Sequence, residues 1–489
     1  MPRLVILLLA AFTLGGLAPT QLPAAATAGR PPNIIFVLTD DQTAAEFSFM
    51  PQTQRLIVEQ GVTLPNFFVT VSLCCPARST ILRGQYAHNH GVLTNSEPNG
   101  GYSQFMANDL EASNVATWLQ AQGYRTGLFG KYLNGYPSRG NGNHVPPGWD
   151  TWYAASGNSG YAEFNYTLNE NGTLVRYGAT PEDYLVDVLA SRSTEFVRQA
   201  SAAGTPFFAY IAPQVPHLPS TPAPRHQGLF PDMQAPRGPA FDEADVSDKP
   251  AYIRNRPPLG AAAQRAIDAN YRQRLQSLQS VDDLVASLVQ TLEATGQIDN
   301  TYIFVTSDNG FMQGQHRLRM GKQVPYEESI RVSLMVRGPG VPAGVIRDHL
   351  TGNTDFAPTF AAIAGAPLPS FVDGRSLVPL LGAAPPTPSS WRQSFLIEHW
   401  LPAEDIEGDR IVLPEYHGVR TAGSVYVEYA TGERELYDLV ADPYQLQNLG
   451  TTTDTGLLAQ YATLVADLQR CAAAACQLAE DRPAPAAPR

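Results

Sequence analysis

Asn33–Thr39 (NIIFVLT) runs directly into Asp40-Asp41, and Thr301–Ser307 (TYIFVTS) runs directly into Asp308-Asn309-Gly310. Both stretches are short, apolar and rich in β-branched and aromatic residues, the pattern of a strand buried on both faces. Pro206–Ala212 (PFFAYIA) and the shorter Arg125–Phe129 have the same character. Helical periods lie between them. Leu275, Leu278, Val281, Val285, Leu288 and Leu292 recur at spacings of three and four, a one-sided apolar stripe. Strands alternating with such helices predict crossover units, and hence an α/β fold with a large, mostly parallel sheet between helices.

Polar residues follow each of these strands. Besides the two acidic ends, His217 follows Pro206–Ala212, and Gly130-Lys131 follows Arg125–Phe129. Ligands bind at the carboxyl ends of strands in open α/β sheets, so all four groups are expected on one edge. Asp40, Asp41, Asp308 and Asn309 offer only oxygen donors, a set suited to calcium or magnesium. The plainer reading is helix N-caps. The repetition of the pairing favours the metal.

Composition narrows the classes. With 44% hydrophobic and 16% charged residues among 489, the chain is globular, and Gly (40) with Pro (41) indicates many loops. A net charge of -12 excludes a generally basic nucleic-acid binder. No Lys/Arg-rich tract is present to hold a long polyanion. Residues 1–28 read as a secretory signal peptide: Arg3, an apolar run, then Ala26-Thr27-Ala28. The run is shorter than the ~20 residues of a spanning helix, so no stable membrane anchor is expected. An exported destination follows. The segment from Pro219 to Pro258 reads as a long excursion near the site. Gly382–Ser390 (GAAPPTPSS) reads as a linker, which divides the chain into 29–385 and 386–489. Beyond it, Ser394–Glu398, Tyr416–Arg420 and Ser424–Tyr429 predict short strands, with a helix from about Thr455 to Arg470. That is a smaller antiparallel sheet with one covering helix.

Cysteine usage is less simple. Cys471 and Cys476 can pair only if a helix ends near Cys471, because five helical residues separate their Cα atoms by roughly 8–9 Å. The four alanines between them favour helix and argue against that break. Cys74-Cys75 opens CCPARSTILRG, where Pro76 suits a first helical turn and places Cys74 at a helix N-terminus, a favourable position for an anion. For the pair itself, a buried hydrophobe or a vicinal disulfide is the plainer reading.

The segment CCPARSTILRGQYAHNHGV (residues 74–92) resembles the sulfatase signature C-x-P-x-R, and GYRTGLFGKYLNGY (123–136) resembles the second sulfatase signature. TSDNG, PQVPHLP, DFAPTFAAIAGAPLPSFVDGRSLVPLL and LYDLVADPYQLQNL are similar to further family segments, in family order over almost the whole chain. The double cysteine, YAHNHGV and GKYLN resemble most the branch of N-acetylglucosamine-6-sulfatases and extracellular glucosamine endosulfatases.

The resemblance implies an alkaline-phosphatase-like sandwich and a sulfuric ester hydrolase. It also implies that a separate formylglycine-generating enzyme converts Cys74 to formylglycine, whose hydrate attacks sulfur. Asp40, Asp41, Cys74 (as formylglycine), Asp308 and Asn309 are then the calcium ligands. Arg78, one helical turn after Cys74, is implied to hold the diol. Lys131 and Lys322 are implied sulfate contacts, and His217 is the acid for the leaving alcohol. Many arylsulfatases carry a histidine two residues after the second-signature lysine. Here Leu133 and then Asn134 stand there, so Asn134 is expected to bind or orient substrate. His88, His90 and His399 are candidate replacements or substrate contacts. The implied substrate is a sulfated sugar or an aryl sulfate; the absence of a Lys/Arg-rich tract, and not the resemblance, predicts attack at a chain end. The competing readings are a phosphoester or phosphonate hydrolase of the same superfamily and a catalytically silent sugar-binding protein.

Overall fold

The computed structural model describes residues 30–137, 142–401 and 412–486. The proposed signal peptide lies outside them.

The strands of the main sheet are β1 (Asn33–Thr39), β2 (Val62–Phe68), β3 (Arg125–Gly130), β4 (Thr151–Ala155), β5 (Thr167–Glu170), β6 (Thr173–Arg176), β7 (Phe207–Ala212), β8 (Thr301–Ser307), β9 (Arg331–Arg337), β10 (Val345–Ile346) and β11 (Thr351–Gly352). They pair in the order β10-β2-β9-β8-β1-β7-β3-β4-β5-β6, with β11 also on β2. The centre is parallel: β1 pairs with β7 and β8, and β7 with β3. Strand β9 runs antiparallel to both neighbours, and β5 and β6 form an antiparallel edge. The sheet is therefore mixed but mostly parallel at its core.

Strand β1 shows why an unbroken apolar run was required. All seven of its residues are buried. Ile34, Phe36 and Leu38 pack into one cluster with Phe208, Phe304, Phe356 and Phe360. Ile35 and Val37 point the other way, into a cluster with Leu278, Val281, Val285, Leu288 and Leu292. A strand covered by helices on both faces cannot alternate with polar residues. The covering helices include α1 (Cys74–Arg83), α2 (Leu185–Ala203), α3 (Ala261–Ala294) and α4 (Phe356–Ala364). The apolar stripe read from Leu275 to Leu292 is the buried face of α3.

A second sheet follows, antiparallel, in the order β12 (Ser394–His399), β13 (Tyr416–Thr421), β14 (Ser424–Tyr429) and β15 (Arg434–Asp438). The fourth strand was not expected. Helix α5 (Thr455–Leu468) packs on this sheet, and a short α6 (Ala474–Glu480) comes after it. The break between them lets Cys471 and Cys476 form a disulfide, with Cα atoms 4.8 Å apart. The helical preference of Ala472 and Ala473 was overruled there, while Ala474 and Ala475 open α6. Residues 219–258 are mostly irregular, with short helical turns at Pro224–His226 and Ala251–Arg254.

Buried ion pairs join the two sheets. Arg392 holds Asp355 through both terminal nitrogens (2.6 and 2.7 Å) and Glu480 through Nε (2.8 Å), with all three side chains inaccessible to solvent. His88 bridges the same joint: Nδ1 lies 3.0 Å from Glu398 Oε1 and Nε2 3.1 Å from the Cys471 carbonyl. Burial alone would lower the His88 pKa, but Glu398 outweighs it and the ring titrates above its usual value. A raised folded pKa gives stability that is complete below the ordinary histidine value, about 6.5, and is lost as pH rises through the folded value. The melting temperature of the wild type relative to Glu398→Gln should therefore shrink as pH is raised from about 5.5 to 8.5. A constant difference would show that the pair does not titrate in the folded protein.

Candidate active site

Strands β8, β1, β7 and β3 are consecutive in the sheet and parallel. Their carboxyl ends deliver Asp308-Asn309, Asp40-Asp41, the turn to His217, and Lys131 to one edge. The fifth contribution is α1, which starts at Cys74 after extended Leu73 and ends at Gly84 in the left-handed conformation (φ 67°). Every residue of α1 is buried. This packing forces Arg78 to find its partners inside the protein.

Arg78 Nε donates to Asp308 Oδ2 at 2.9 Å and Nη1 to the Lys131 carbonyl at 3.2 Å, with Asp40 Oδ2 3.8 Å from Nη2. Lys131 Nζ lies 2.5 Å from Asp40 Oδ2, and Lys322 Nζ lies 2.5 Å from Asp41 Oδ1. Cys74 Sγ sits between them, 3.4 Å from Asp40 Oδ1 and 3.0 Å from Lys322 Nζ. Asp41 adopts a left-handed backbone (φ 66°), tolerable for aspartate, and its N–H donates to Asp308 Oδ1 at 3.1 Å. Asn309 Nδ2 donates to Asp41 Oδ1 at 2.6 Å. His217 Nδ1 faces the Leu218 carbonyl at 2.8 Å, which turns Nε2 toward Asp41 Oδ2 at 3.7 Å.

Charge follows from this arrangement. Burial would raise the Asp40 carboxyl, but Lys131, with His217, Arg78 and Lys322, holds it well below the usual carboxylate range. Burial would lower the Lys131 ammonium, but Asp40 holds it well above its usual value. Burial, then Asp40, pushes the Cys74 thiol far up. Unmodified Cys74 is thus a neutral thiol at physiological pH and a poor nucleophile.

The residues present suit a hard cation. Oxygens of Asp40, Asp41 and Asp308 lie within 4.8 Å of one another, all buried. Asp41 Oδ2 and Asn309 Oδ1 are buried with no hydrogen-bond partner among the described residues. Buried oxygens of this kind call for a ligand. Asp40, Cys74 and His217 form a second group of the same tightness.

The expected residues do not all converge. His90 is buried in the packing of α1, with Nε2 3.0 Å from Thr80 Oγ1 and Nδ1 accepting the Val92 N–H at 3.1 Å. Burial, with Arg83, pushes its pKa down to about 3. Both ring nitrogens are engaged, so His90 packs in the core behind α1 and not among the carboxylates. His399 is buried and stacked on Tyr416 (5.5 Å) rather than lying among the carboxylates. Tyr416 in turn donates to the carbonyl of Gln323, next to Lys322, so His399 stands behind the lysine loop. Asn134 lies beside Cys75, with its Oδ1 buried and without a hydrogen-bond partner among the described residues. Cys75 keeps a free thiol, as does Cys74, so no vicinal disulfide forms. Its N–H donates to Asn95 Oδ1 at 2.8 Å.

Sequence reasoning missed Tyr161. Its ring lies 4.3 Å from the His217 ring and 5.0 Å from Lys131 Nζ, between the candidate acid and a candidate sulfate contact. Nothing in the local sequence marks it, since it comes from a single 3-10 turn, Ser159–Ala162, with no motif. Arg274 and Glu46, also missed, are treated below.

Comparison with known proteins decides the family. The profile described as "Sulfatase" matches residues 32–366, well over half of the chain. The chain belongs to the sulfatase family. It is a sulfuric ester hydrolase by that membership. A second profile, the C-terminal part of N-sulphoglucosamine sulphohydrolase, matches residues 314–471 of this sulfatase. Human N-acetylglucosamine-6-sulfatase is 37% identical over 92% of this chain and 86% of its own length. An arylsulfatase of Volvox carteri is 34% identical over 92% of this chain and 76% of its own. An extracellular sulfatase of Drosophila melanogaster is 39% identical over 76% of this chain, which spans only 33% of that longer protein. Among solved structures, a protein in complex with its substrate D-glucosamine-2-N,6-O-disulfate superposes with TM-score 0.75 and 25% identity, covering 90% of this chain and 98% of the other. A phosphonate monoester hydrolase from Silicibacter pomeroyi shares the fold, with TM-score 0.66 and 21% identity over 90% of this chain and 94% of its own. The large mixed sheet with its small antiparallel companion is thus the alkaline-phosphatase-like sandwich.

Asp308→Asn removes the carboxylate that pairs with fully buried Arg78. Breaking one partner of a buried pair costs about 3–5 kcal/mol, and urea denaturation of chelator-treated protein should show a loss of that size. A loss no larger than that of a surface substitution would mean that Asp40 alone satisfies the guanidinium.

Proposed function

We propose that this sulfatase removes a 6-sulfate ester from a sulfated glucosamine at a chain end, using formylglycine derived from Cys74 and a calcium ion held by Asp40, Asp41, Asp308 and Asn309. One observation carries the reading: Cys74 Sγ points into the cluster of three carboxylates, Arg78, Lys131 and Lys322. No anionic ester could be turned over in a buried site of three carboxylates without the cations that offset them. Magnesium fits the same oxygen donors. A phosphonate or phosphate ester is the second reading, favoured by the shared fold of the phosphonate monoester hydrolase.

Hydrated formylglycine supplies a hydroxyl nucleophile that cysteine lacks, and the cation supplies charge for the nonbridging sulfuryl oxygens. The chain's own residues do the rest. Lys131 and Lys322 present ammonium groups on either side of the Cys74 side chain and hold the sulfuryl oxygens. Arg78 fixes Asp308 and donates toward the diol. His217, oriented through Nδ1 by Leu218 and against the Tyr161 ring, presents Nε2 to protonate the leaving sugar oxygen. Asn134 orients substrate, since a primary amide cannot act as a base. His399 shapes the pocket through Tyr416.

Residues 1–28 act in this reading as an export signal, and a formylglycine-generating enzyme matures Cys74. Among the described residues no helix is long and apolar enough to cross a membrane. The division into a catalytic unit (29–385) and a C-terminal unit (386–489) is supported by the second sheet beginning at Ser394.

Peptide mass spectrometry of protein co-expressed with the maturation enzyme should find the Cys74 peptide about 18 Da lighter than its thiol form. Such protein should show higher kcat/KM for an aryl sulfate than for the matching phosphate. An unmodified Cys74, or a clear preference for phosphate, would refute the reading. End-sulfated oligosaccharide should be cut in preference to internal sulfates of a long glycosaminoglycan. The reverse order would mean that the chain grips polymers without a basic tract.

A further inference from the structure

Helix α3 carries a buried arginine that the chemistry above does not use. Arg274 is inaccessible to solvent, one position before Leu275 of the apolar stripe. Its Nε and Nη2 donate to Glu46 Oε1 and Oε2, both at 2.7 Å. Nη2 also donates to the backbone carbonyl of Asp41 (2.5 Å), and Nη1 to that of Pro216 (3.2 Å). The guanidinium lies over the Phe311 ring at 4.5 Å. Glu46 is held in turn: its Oε2 accepts the Thr43 N–H at 2.9 Å and its Oε1 accepts from Gln313 Nε2 at 2.8 Å.

These contacts reach three separate loops. Asp41 is held in a left-handed backbone conformation, which costs energy away from glycine. Pro216 immediately precedes His217. Phe311 and Gln313 belong to the segment that runs from Asn309 toward Lys322. The loops come from β1, β7 and β8, and among the described contacts no other side chain bonds to the backbone of both Asp41 and Pro216. A planar fork can grip a carboxylate and two carbonyls at once, whereas an ammonium cannot match that geometry.

We propose that Arg274 is a positioning residue: paired with Glu46, it fixes the peptide of Asp41 and the turn at Pro216, so that the cation ligand and the proton donor stand in register. The inference rests on the cation and acid roles proposed above. Rotation of the peptide that carries the Asp41 carbonyl would withdraw the Gln42 N–H from Ser307 Oγ (2.8 Å) and change the Asp41 backbone angle that aims its carboxylate at Asn309 and Lys322. The same release would free the residue before His217.

The test is calcium binding by titration calorimetry on chelator-stripped protein, with kcat and KM for an aryl sulfate measured on matured enzyme. Variants are Arg274→Lys, Glu46→Gln and, as a structural control, Asp282→Asn. Asp282 is a buried carboxylate on the same helix that bonds Gln52 and Thr53, away from the cluster. Arg274→Lys should weaken calcium binding about 10- to 100-fold and lower kcat with little change in KM. Glu46→Gln should weaken calcium binding in the same sense, and it decides the matter alone if Arg274→Lys does not fold. Asp282→Asn should lower thermal stability and leave the calcium Kd in place. Wild-type calcium affinity in both clamp variants would overturn the inference, as would an equal loss in Asp282→Asn. A wild-type protein that binds no calcium would instead overturn the cation reading on which the inference stands.

Discussion

Three carboxylates with oxygens within 4.8 Å of one another, all shut off from solvent, cannot remain ionised without matching positive charge. Lys131, Lys322 and Arg78 provide it at 2.5, 2.5 and 2.9 Å. The rest of the structure can be understood as what brings these six groups together. Four parallel strands align their carboxyl ends and thereby place Asp40, Asp41, Asp308, Lys131 and the turn to His217. A buried helix carries Cys74 and Arg78 into the same space. Charge balance thus acts on the same strand ends that apolar packing aligns.

The same surroundings disfavour ionisation of the Cys74 thiol. Burial and the Asp40 carboxylate disfavour a thiolate at Cys74 despite two nearby lysines. The surroundings therefore do not activate sulfur. Cys75, adjacent in sequence, has its thiol pushed up to about 12, mainly by burial. The two cysteines differ because helix geometry turns only the first toward the carboxylates.

Elements remote from the chemistry hold it in place. The small sheet supports the lysine loop through Tyr416 on the Gln323 carbonyl, while Gln323 N–H bonds the Ser72 carbonyl ahead of Cys74. That loop contains His316, Arg317 and Gln323 at positive φ, conformations that persist only when surrounding contacts over-determine them. Arg317 donates to the carbonyls of Glu243, Ala244 and Arg256, which draws part of the long irregular segment into the support of Lys322.

The sequence by itself determined the strands β1, β7 and β8, the stripe on α3 and the polar residues at the strand ends. An apolar run or a helical period is a local property, written in consecutive residues. It also carried the signatures at Cys74 and Lys131, because a helix start and a strand end are local too. It did not show that His90 is buried behind α1, and it overrated helix across Cys471–Cys476. It gave no sign of Tyr161, Glu46 or Arg274. Only the tertiary structure could decide these. Arg274 stands beside a stripe of leucines and reads locally as a solvated helix residue, yet its partners lie 228, 233 and 58 residues away. Whether a polar side chain faces water or a buried carboxylate depends on which distant segments pack over it, and that information exists only once the sheet has brought those segments together.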